Sequence, residues 1–233
     1  MPSPTFVLVH GAWHDGRAWD LLVDALARRG SAAVAVDLPS DEVGVDASGW
    51  AAVIADAARD AGPEPAVLVG HSLAGIAIPL VPALTPVRRL VYLAALLPDP
   101  GRPILEIMAE EKPLAATDGL ARDELGRSYW ASPEAAIATL YQDCDPSLAR
   151  EAAARLRPQA RTAQEAPCPL SAYPAVPASA IVMRDDRMVR PEWSRAAIPA
   201  RLGIEPLELS GGHSPMLADP ERLAATLLEL DAG

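Results

Sequence analysis

Three sets of polar side chains lie far apart in this chain, each at the end of an apolar run. Ser72 follows Val67-Leu68-Val69-Gly70-His71. Asp185 and Asp186 follow Ala180-Ile181-Val182-Met183-Arg184. His213 follows Leu207-Glu208-Leu209-Ser210-Gly211-Gly212. A hydroxyl, a carboxylate and an imidazole are what acyl transfer by a nucleophilic serine requires, if folding brings them together. Gly70-His71-Ser72-Leu73-Ala74 has the layout of an elbow, in which a strained strand-to-helix turn lifts a serine above the end of a sheet. Small residues must flank such a serine, and Gly70 and Ala74 do. With glycine at about 7% of residues, the short motif alone arises by chance in about one chain in several. Its weight comes from the chain order Ser, Asp, His, each at a strand end, and from a further apolar strand that ends in His10-Gly11-Ala12-Trp13. A loop after the first central strand supplies one oxyanion-hole N–H in elbow-type sites; Gly11 lets it turn and Ala12 presents the amide.

The other readings of these residues are structural. A lone serine ahead of an apolar helix is ordinarily an N-cap; the strand-turn-helix context favours the nucleophile. The chain has four histidines. His10, at a strand end, suits a structural hydrogen bond to a neighbouring loop. His71 precedes the serine, so its ring points away from the hydroxyl. His14 lies in the oxyanion loop and is a pocket candidate, as are Trp13, Trp130 and Tyr141; packing in the core accounts for the three aromatics equally well. His213 remains as the base, with Ser214 beside it as a helix cap. Successive residues at a strand end point opposite ways, so position alone leaves both Asp185 and Asp186 open as the acid.

Phe6-Val7-Leu8-Val9-His10-Gly11-Ala12, Gly70-His71-Ser72-Leu73-Ala74-Gly75, Leu96-Leu97-Pro98-Asp99, Asp186-Arg187-Met188-Val189 and Gly212-His213 together resemble the α/β-hydrolases. Within these, the chain is most similar to the small branch of plant hydroxynitrile lyases and methylesterases. The resemblance spans nearly the whole length and is weakest in the middle. It implies Ser72 as nucleophile, His213 as general base, Asp186 as the acid that orients it, and the Ala12 and Leu73 amides as the oxyanion hole. Lyases of this branch carry a threonine where Gly11 stands and a lysine where Ser214 stands. Both are absent here, which favours ester hydrolysis over cyanohydrin cleavage.

The elements needed to position these groups can be read from periodicity. Strands are expected at residues 6–9, 32–36, 66–69 and 88–94, with helices at 18–29 and 48–61 between them. Gly30 closes the first helix in a left-handed cap, and Gly62-Pro63 stops the second. This β-α-β alternation predicts an α/β fold with a doubly wound, mostly parallel six-stranded sheet. Pro98, Pro100 and Pro103 interrupt it, and Pro167, Pro169, Pro174 and Pro177 mark a second break. Residues 98–177 are therefore expected to form an inserted helical cap, with Ser132-Pro133 and Asp145-Pro146 opening helices. Residues 1–97 and 178–233 form the core, with strands at 179–183 and 204–209, a helix opened by Pro191, and a terminal helix from Asp219-Pro220 to about residue 230. Pro79 and Pro82 fall within the helix after Ser72, which must kink near Ile76 or end early.

At 233 residues the chain suits one domain with a full core. A net charge of −11 and the lack of a basic stripe argue against nucleic-acid binding. No apolar run reaches the ~18 residues of a membrane span, and no basic leader precedes the first strand, so a cytoplasmic location is expected. Lys112 is the only lysine and has no glycine-rich phosphate loop around it. Cys144 and Cys168 match no metal or redox spacing and are expected to be free. No cofactor and no metal are expected; the partner is a small-molecule substrate, and monomer and homodimer stay open. The main reading is hydrolysis of a small, largely apolar ester, thioester or lactone. A lyase, cyclase or acyltransferase using the same site, and a non-catalytic small-molecule binder, are the alternatives.

Overall fold

The computed structural model describes residues 5–115 and 118–232. β1 (Phe6–Val9) leads through a 3-10 turn (Gly16–Trp19) to α1 (Asp20–Arg28), β2 (Ala33–Val36), α2 (Ala47–Asp60) and β3 (Ala66–His71). Two 3-10 turns, Ser72–Ile76 and Ile78–Ala83, precede β4 (Val87–Leu93). Then come α3 (Ile104–Glu111), β5 (Leu120–Arg122), β6 (Ser128–Trp130), α4 (Pro133–Leu140), α5 (Pro146–Ala154) and α6 (Thr162–Glu165). The chain ends with β7 (Ala178–Met183), α7 (Pro191–Leu202), β8 (Leu207–Leu209), α8 (Pro215–Ala218) and α9 (Pro220–Ala232).

Six strands form one sheet in the order β2-β1-β3-β4-β7-β8, and every pairing is parallel. A parallel sheet flanked by helices buries both strand faces, so its central strands need unbroken apolar runs. β1 and β3 meet this need, with every residue buried. Burying a large apolar side chain of this kind contributes about 1.5–3 kcal/mol. Helix ends follow the sequence signals. Gly30 (φ 78°) closes α1, and the side chain of Asp46 caps α2 through the Ser48 and Gly49 amides. Ser132 and Asp145 cap α4 and α5, each with proline next. Because β4 and β7 are sheet neighbours, everything between them is an excursion from the sheet. Arg201 on α7 anchors its start through Asp99 and Glu111. Among the described residues, no helix is long and apolar enough to cross a membrane.

The structure departs from the sequence expectation in three places. After Ser72 there is no α-helix but the two 3-10 turns, separated at Ala77; Pro79 and Pro82 have no N–H to give to an α-helical ladder. β8 begins at Leu207, not at residue 204, because Pro206 cannot donate to the sheet. The excursion is not purely helical. β5 and β6 form an antiparallel hairpin whose turn is set by Asp123, accepting from the Leu125 and Arg127 amides, and by Gly126 at φ 74°.

Glycine is required where the chain approaches itself around Ser72. A Cβ at Gly70 would lie 2.8 Å from the Ile78 side chain. One at Gly75 would be driven into the Leu96 carbonyl, which is backbone and cannot swing aside. Gly75→Ala is expected to cost about 1–3 kcal/mol through overpacking, lowering Tm by about 3–10 °C. An unchanged Tm in thermal denaturation would contradict this packing.

Candidate active site

Ser72 leaves the end of β3 with φ 54°, a left-handed conformation that is uncommon for a residue with a side chain. Its carbonyl accepts the Leu96 amide at 3.0 Å, which ties the turn to the segment after β4. At this sharp turn the first amides, Leu73 included, have no intrahelical acceptor. β1 lies beside β3, so the loop that leaves β1 arrives next to Ser72. A Cβ at Gly11 would lie 2.7 Å from Ser72 Cβ and 3.2 Å from His71 Nδ1. Gly11 thus lets the Ala12 loop approach the serine, and the position has no room for a larger side chain.

The imidazole and the carboxylate meet at the other side of the sheet centre. His213 Nδ1–H donates to Asp186 Oδ2 at 2.8 Å, and both side chains are buried. Asp186 Oδ1 accepts the Met188 amide at 2.7 Å and the Val189 amide at 2.9 Å. Both carboxylate oxygens are therefore engaged, as a buried charge demands. The neighbouring Asp185 turns the other way and accepts the Gly211 amide at 2.9 Å. Of the two aspartates, Asp186 is the one whose carboxylate reaches the histidine.

His71 bridges the two halves. Its Nε2–H donates to the His213 carbonyl at 2.8 Å, and the two rings lie 4.6 Å apart. The residue next to Ser72 thus contacts His213 directly. Among the described residues, the Ser72 hydroxyl itself makes no hydrogen bond. His10 is structural: its Nε2 accepts the Leu38 amide at 3.0 Å and its Nδ1–H donates to the Gly11 carbonyl at 2.8 Å. His14 Nδ1–H donates to the Ala12 carbonyl at 2.7 Å, and His14 Nε2 accepts from the Tyr141 hydroxyl at 2.8 Å. Trp13 (φ 66°) packs edge-to-face on Trp130 at 5.5 Å and lines a cavity of about 340 Å³ with Leu105, Met108, Leu114 and Leu120. His14 and Tyr141 border a separate, small cavity of about 30 Å³ near Leu148 and Leu156. Arg157 has no signal in the sequence. Its amide donates to the Trp13 carbonyl at 2.7 Å and its guanidinium to the His14 carbonyl at 3.0 Å.

All four histidines are buried. Among the described residues, no three His, Cys, Asp or Glu side chains are grouped to hold a metal ion. Burial pushes His14 down to about 4 against the opposing pull of the Ala12 carbonyl, and His10 and His213 lower it further. Burial, then His213 and His14, hold His71 well below the usual histidine value. Burial raises the Cys144 thiol to about 12, so it is no nucleophile near neutral pH.

Residues 6–226 match the alpha/beta hydrolase family. The chain belongs to that family. "Probable esterase PIR7A" of Oryza sativa subsp. indica is 29% identical, over 97% of this chain and 96% of that protein. "Salicylic acid-binding protein 2" of Nicotiana tabacum is 28% identical, with the same coverage. A crystal structure of a pyrethroid hydrolase from Sphingobium faniae JZ-2 superposes with TM-score 0.82 at 22% identity, over 99% of this chain and 98% of that one. At that identity the structural likeness is one of fold. In this chain the fold is a six-stranded parallel sheet with helical flanks.

Because His14 is neutral when folded and titrates near 6.5 when unfolded, the unfolded chain takes up the extra proton between those values. Stability is therefore full above pH 6.5 and falls as the pH drops toward 4, by about 3 kcal/mol from this residue. His71 acts in the same direction. Urea unfolding between pH 7 and 5 should lose stability more steeply for the wild type than for His14→Gln; equal slopes would contradict the buried neutral ring.

Proposed function

We propose that this protein is a serine hydrolase that cleaves a small, largely apolar carboxylic ester, thioester or lactone through an acyl-enzyme. The supporting observation is the buried Asp186–His213 pair, locked by two backbone amides and in contact, through His71, with a serine held at positive φ. In this reading His213 Nε2 takes the Ser72 proton as Oγ attacks the substrate carbonyl. Asp186 keeps the Nδ1–H tautomer in place and stabilises the imidazolium. The Ala12 and Leu73 amides hold the developing oxyanion, a contribution of about 10²–10³ in kcat for each donor. The imidazolium then protonates the leaving alcohol or thiol. Water, deprotonated by His213, attacks the acyl-enzyme, and Ser72 regains its proton as the acid departs. The open hydroxyl of Ser72 suits a site whose catalytic hydrogen bond tightens when substrate arrives.

A small, largely apolar substrate is favoured by the cavity that starts at Trp13, the residue after Ala12. Apolar side chains form most of its lining, with Arg122, Ser128 and Gln164 as its polar members, and its volume is at the lower end of the range for small-molecule sites. We assign residues 98–177 the part of a cap over this site. Hydrolysis is preferred over lyase chemistry because Gly11 has no space for a side chain that would hydrogen-bond a cyanohydrin hydroxyl. The family relationship to a probable esterase of rice adds support. The unpaired thiols Cys144 and Cys168 suit a reducing compartment, so we place the reaction in the cytoplasm.

On a panel of short-chain p-nitrophenyl esters, Ser72→Ala should lose about 10⁶ in kcat, leaving the residual catalysis that binding and the oxyanion amides supply. Wild-type rates in this variant would exclude the covalent route. Asp186→Asn, which spoils the histidine tautomer, should reduce kcat by about 10⁴ with KM little changed; a loss of less than tenfold would remove Asp186 from the mechanism.

A further inference from the structure

Tyr141, Gln142 and Asp143 form the turn directly after α4, and each side chain reaches a different strand-end loop of the candidate site. The Tyr141 hydroxyl donates to His14 Nε2 at 2.8 Å, and His14 in turn holds the Ala12 carbonyl at 2.7 Å. Gln142 Nε2 donates at 2.9 Å to the carbonyl of Asp185, the residue before Asp186. Asp143 Oδ2 accepts at 2.6 Å from the amide of Gly212, the residue before His213. One short stretch of chain thus touches the oxyanion loop after β1, the acid loop after β7 and the base loop after β8.

The surroundings are shaped for this contact. A Cβ at Gly212 would collide with the Gln142 amide and lie 2.7 Å from Asp143 Oδ1, and one at Gly211 would lie 3.1 Å from Asp143 Oδ2. The Gly211-Gly212 pair thus sits against the ends of the Gln142 and Asp143 side chains, and Gly211 takes φ 115° at the exit from β8. Tyr141 is fully buried, which fixes its hydroxyl as a donor to one partner. Consecutive Cα atoms are about 3.8 Å apart across a trans peptide, so three neighbouring side chains bonded to three loops fix the distances between those loops.

We propose that Tyr141-Gln142-Asp143 is a positioning clasp that sets the spacing of the oxyanion, acid and base loops. Its catalytic consequence rests on the Ser72–His213–Asp186 reading above. The excursion between β4 and β7 then contributes to the chemistry by holding its parts in register, besides covering the substrate. A misplacement of about 1 Å at a reacting group can cost up to about 10²-fold, so the clasp acts on kcat and not on ground-state binding.

The test compares wild type, Tyr141→Phe, Asp143→Ala and Asp143→Asn in two assays: kcat and KM on a short-chain p-nitrophenyl ester, and hydrogen–deuterium exchange of peptides spanning residues 10–16, 184–190 and 209–215. Asp143 is exposed, so its variants keep the fold. Tyr141→Phe and Asp143→Ala should each lower kcat about tenfold or more, with KM changed less than about twofold. Exchange should rise at 10–16 for Tyr141→Phe and at 209–215 for Asp143→Ala. Asp143→Asn keeps an oxygen acceptor for the Gly212 amide and should recover most of the lost kcat. The clasp is overturned if exchange in these loops is unchanged, if kcat is unaffected, or if Asp143→Asn is as impaired as Asp143→Ala. Should the wild type show no Ser72-dependent turnover, the hydrolase reading fails and exchange alone decides the clasp, a local rise supporting it and no rise overturning it.

Discussion

Removing the Asp186 carboxylate from water costs several kcal/mol unless its oxygens are bonded. Two backbone amides, those of Met188 and Val189, occupy Oδ1 and leave Oδ2 for His213. Those amides are available because the chain turns sharply between β7 and α7, and the turn exists because β7 ends there. The orientation of the imidazole is thus inherited, through one carboxylate, from where a parallel strand stops. The other half of the proposed site obeys a steric constraint. Ser72 adopts positive φ between glycines at 70 and 75, with the glycine at 11 alongside, and a side chain at any of these three would press on backbone or on a neighbouring side chain.

Between these halves lies a layer of buried histidines. Burial holds His14 and His71 in the neutral form, each ring giving its proton to a backbone carbonyl, and at His14 the Tyr141 hydroxyl fills the remaining lone pair. His10 is held by the Gly11 carbonyl and the Leu38 amide, with the exposed Asp37 carboxylate 3.5 Å away, whereas His213 bonds a buried carboxylate at 2.8 Å. The excursion between β4 and β7 completes the layer. Arg157 ties down two carbonyls of the loop after β1, and the turn after α4 reaches that loop and the loops after β7 and β8.

The sheet was legible in the sequence because strands buried on both faces leave unbroken apolar runs, and because Gly30 and the Ser-Pro and Asp-Pro pairs mark helix ends by local chemistry. Ser72 and His213 stood out for the same reason, as polar residues where such runs stop. What stayed hidden depends on long-range geometry. Residue position left Asp185 and Asp186 open and the family resemblance implied Asp186; the path of the loop makes that choice, placing one carboxylate on His213 and the other on the Gly211 amide. The strands of the β5–β6 hairpin are three residues each, too short to show a period. Tyr141 and His14 are 127 residues apart, and nothing in either segment announces the other. The Gly211-Gly212 pair was a signal of close approach, but not of what approaches.

In the proposed mechanism Ser72, His213, Asp186 and the two amides act as one unit. The most direct measurement is a crystal structure of the protein after reaction with a fluorophosphonate. A covalent adduct on Ser72 Oγ is expected, with the phosphoryl oxygen about 2.7–3.1 Å from both the Ala12 and Leu73 amides and His213 Nε2 within hydrogen-bonding distance of the adduct. A label on another residue, or an adduct whose phosphoryl oxygen points away from those amides, would contradict it.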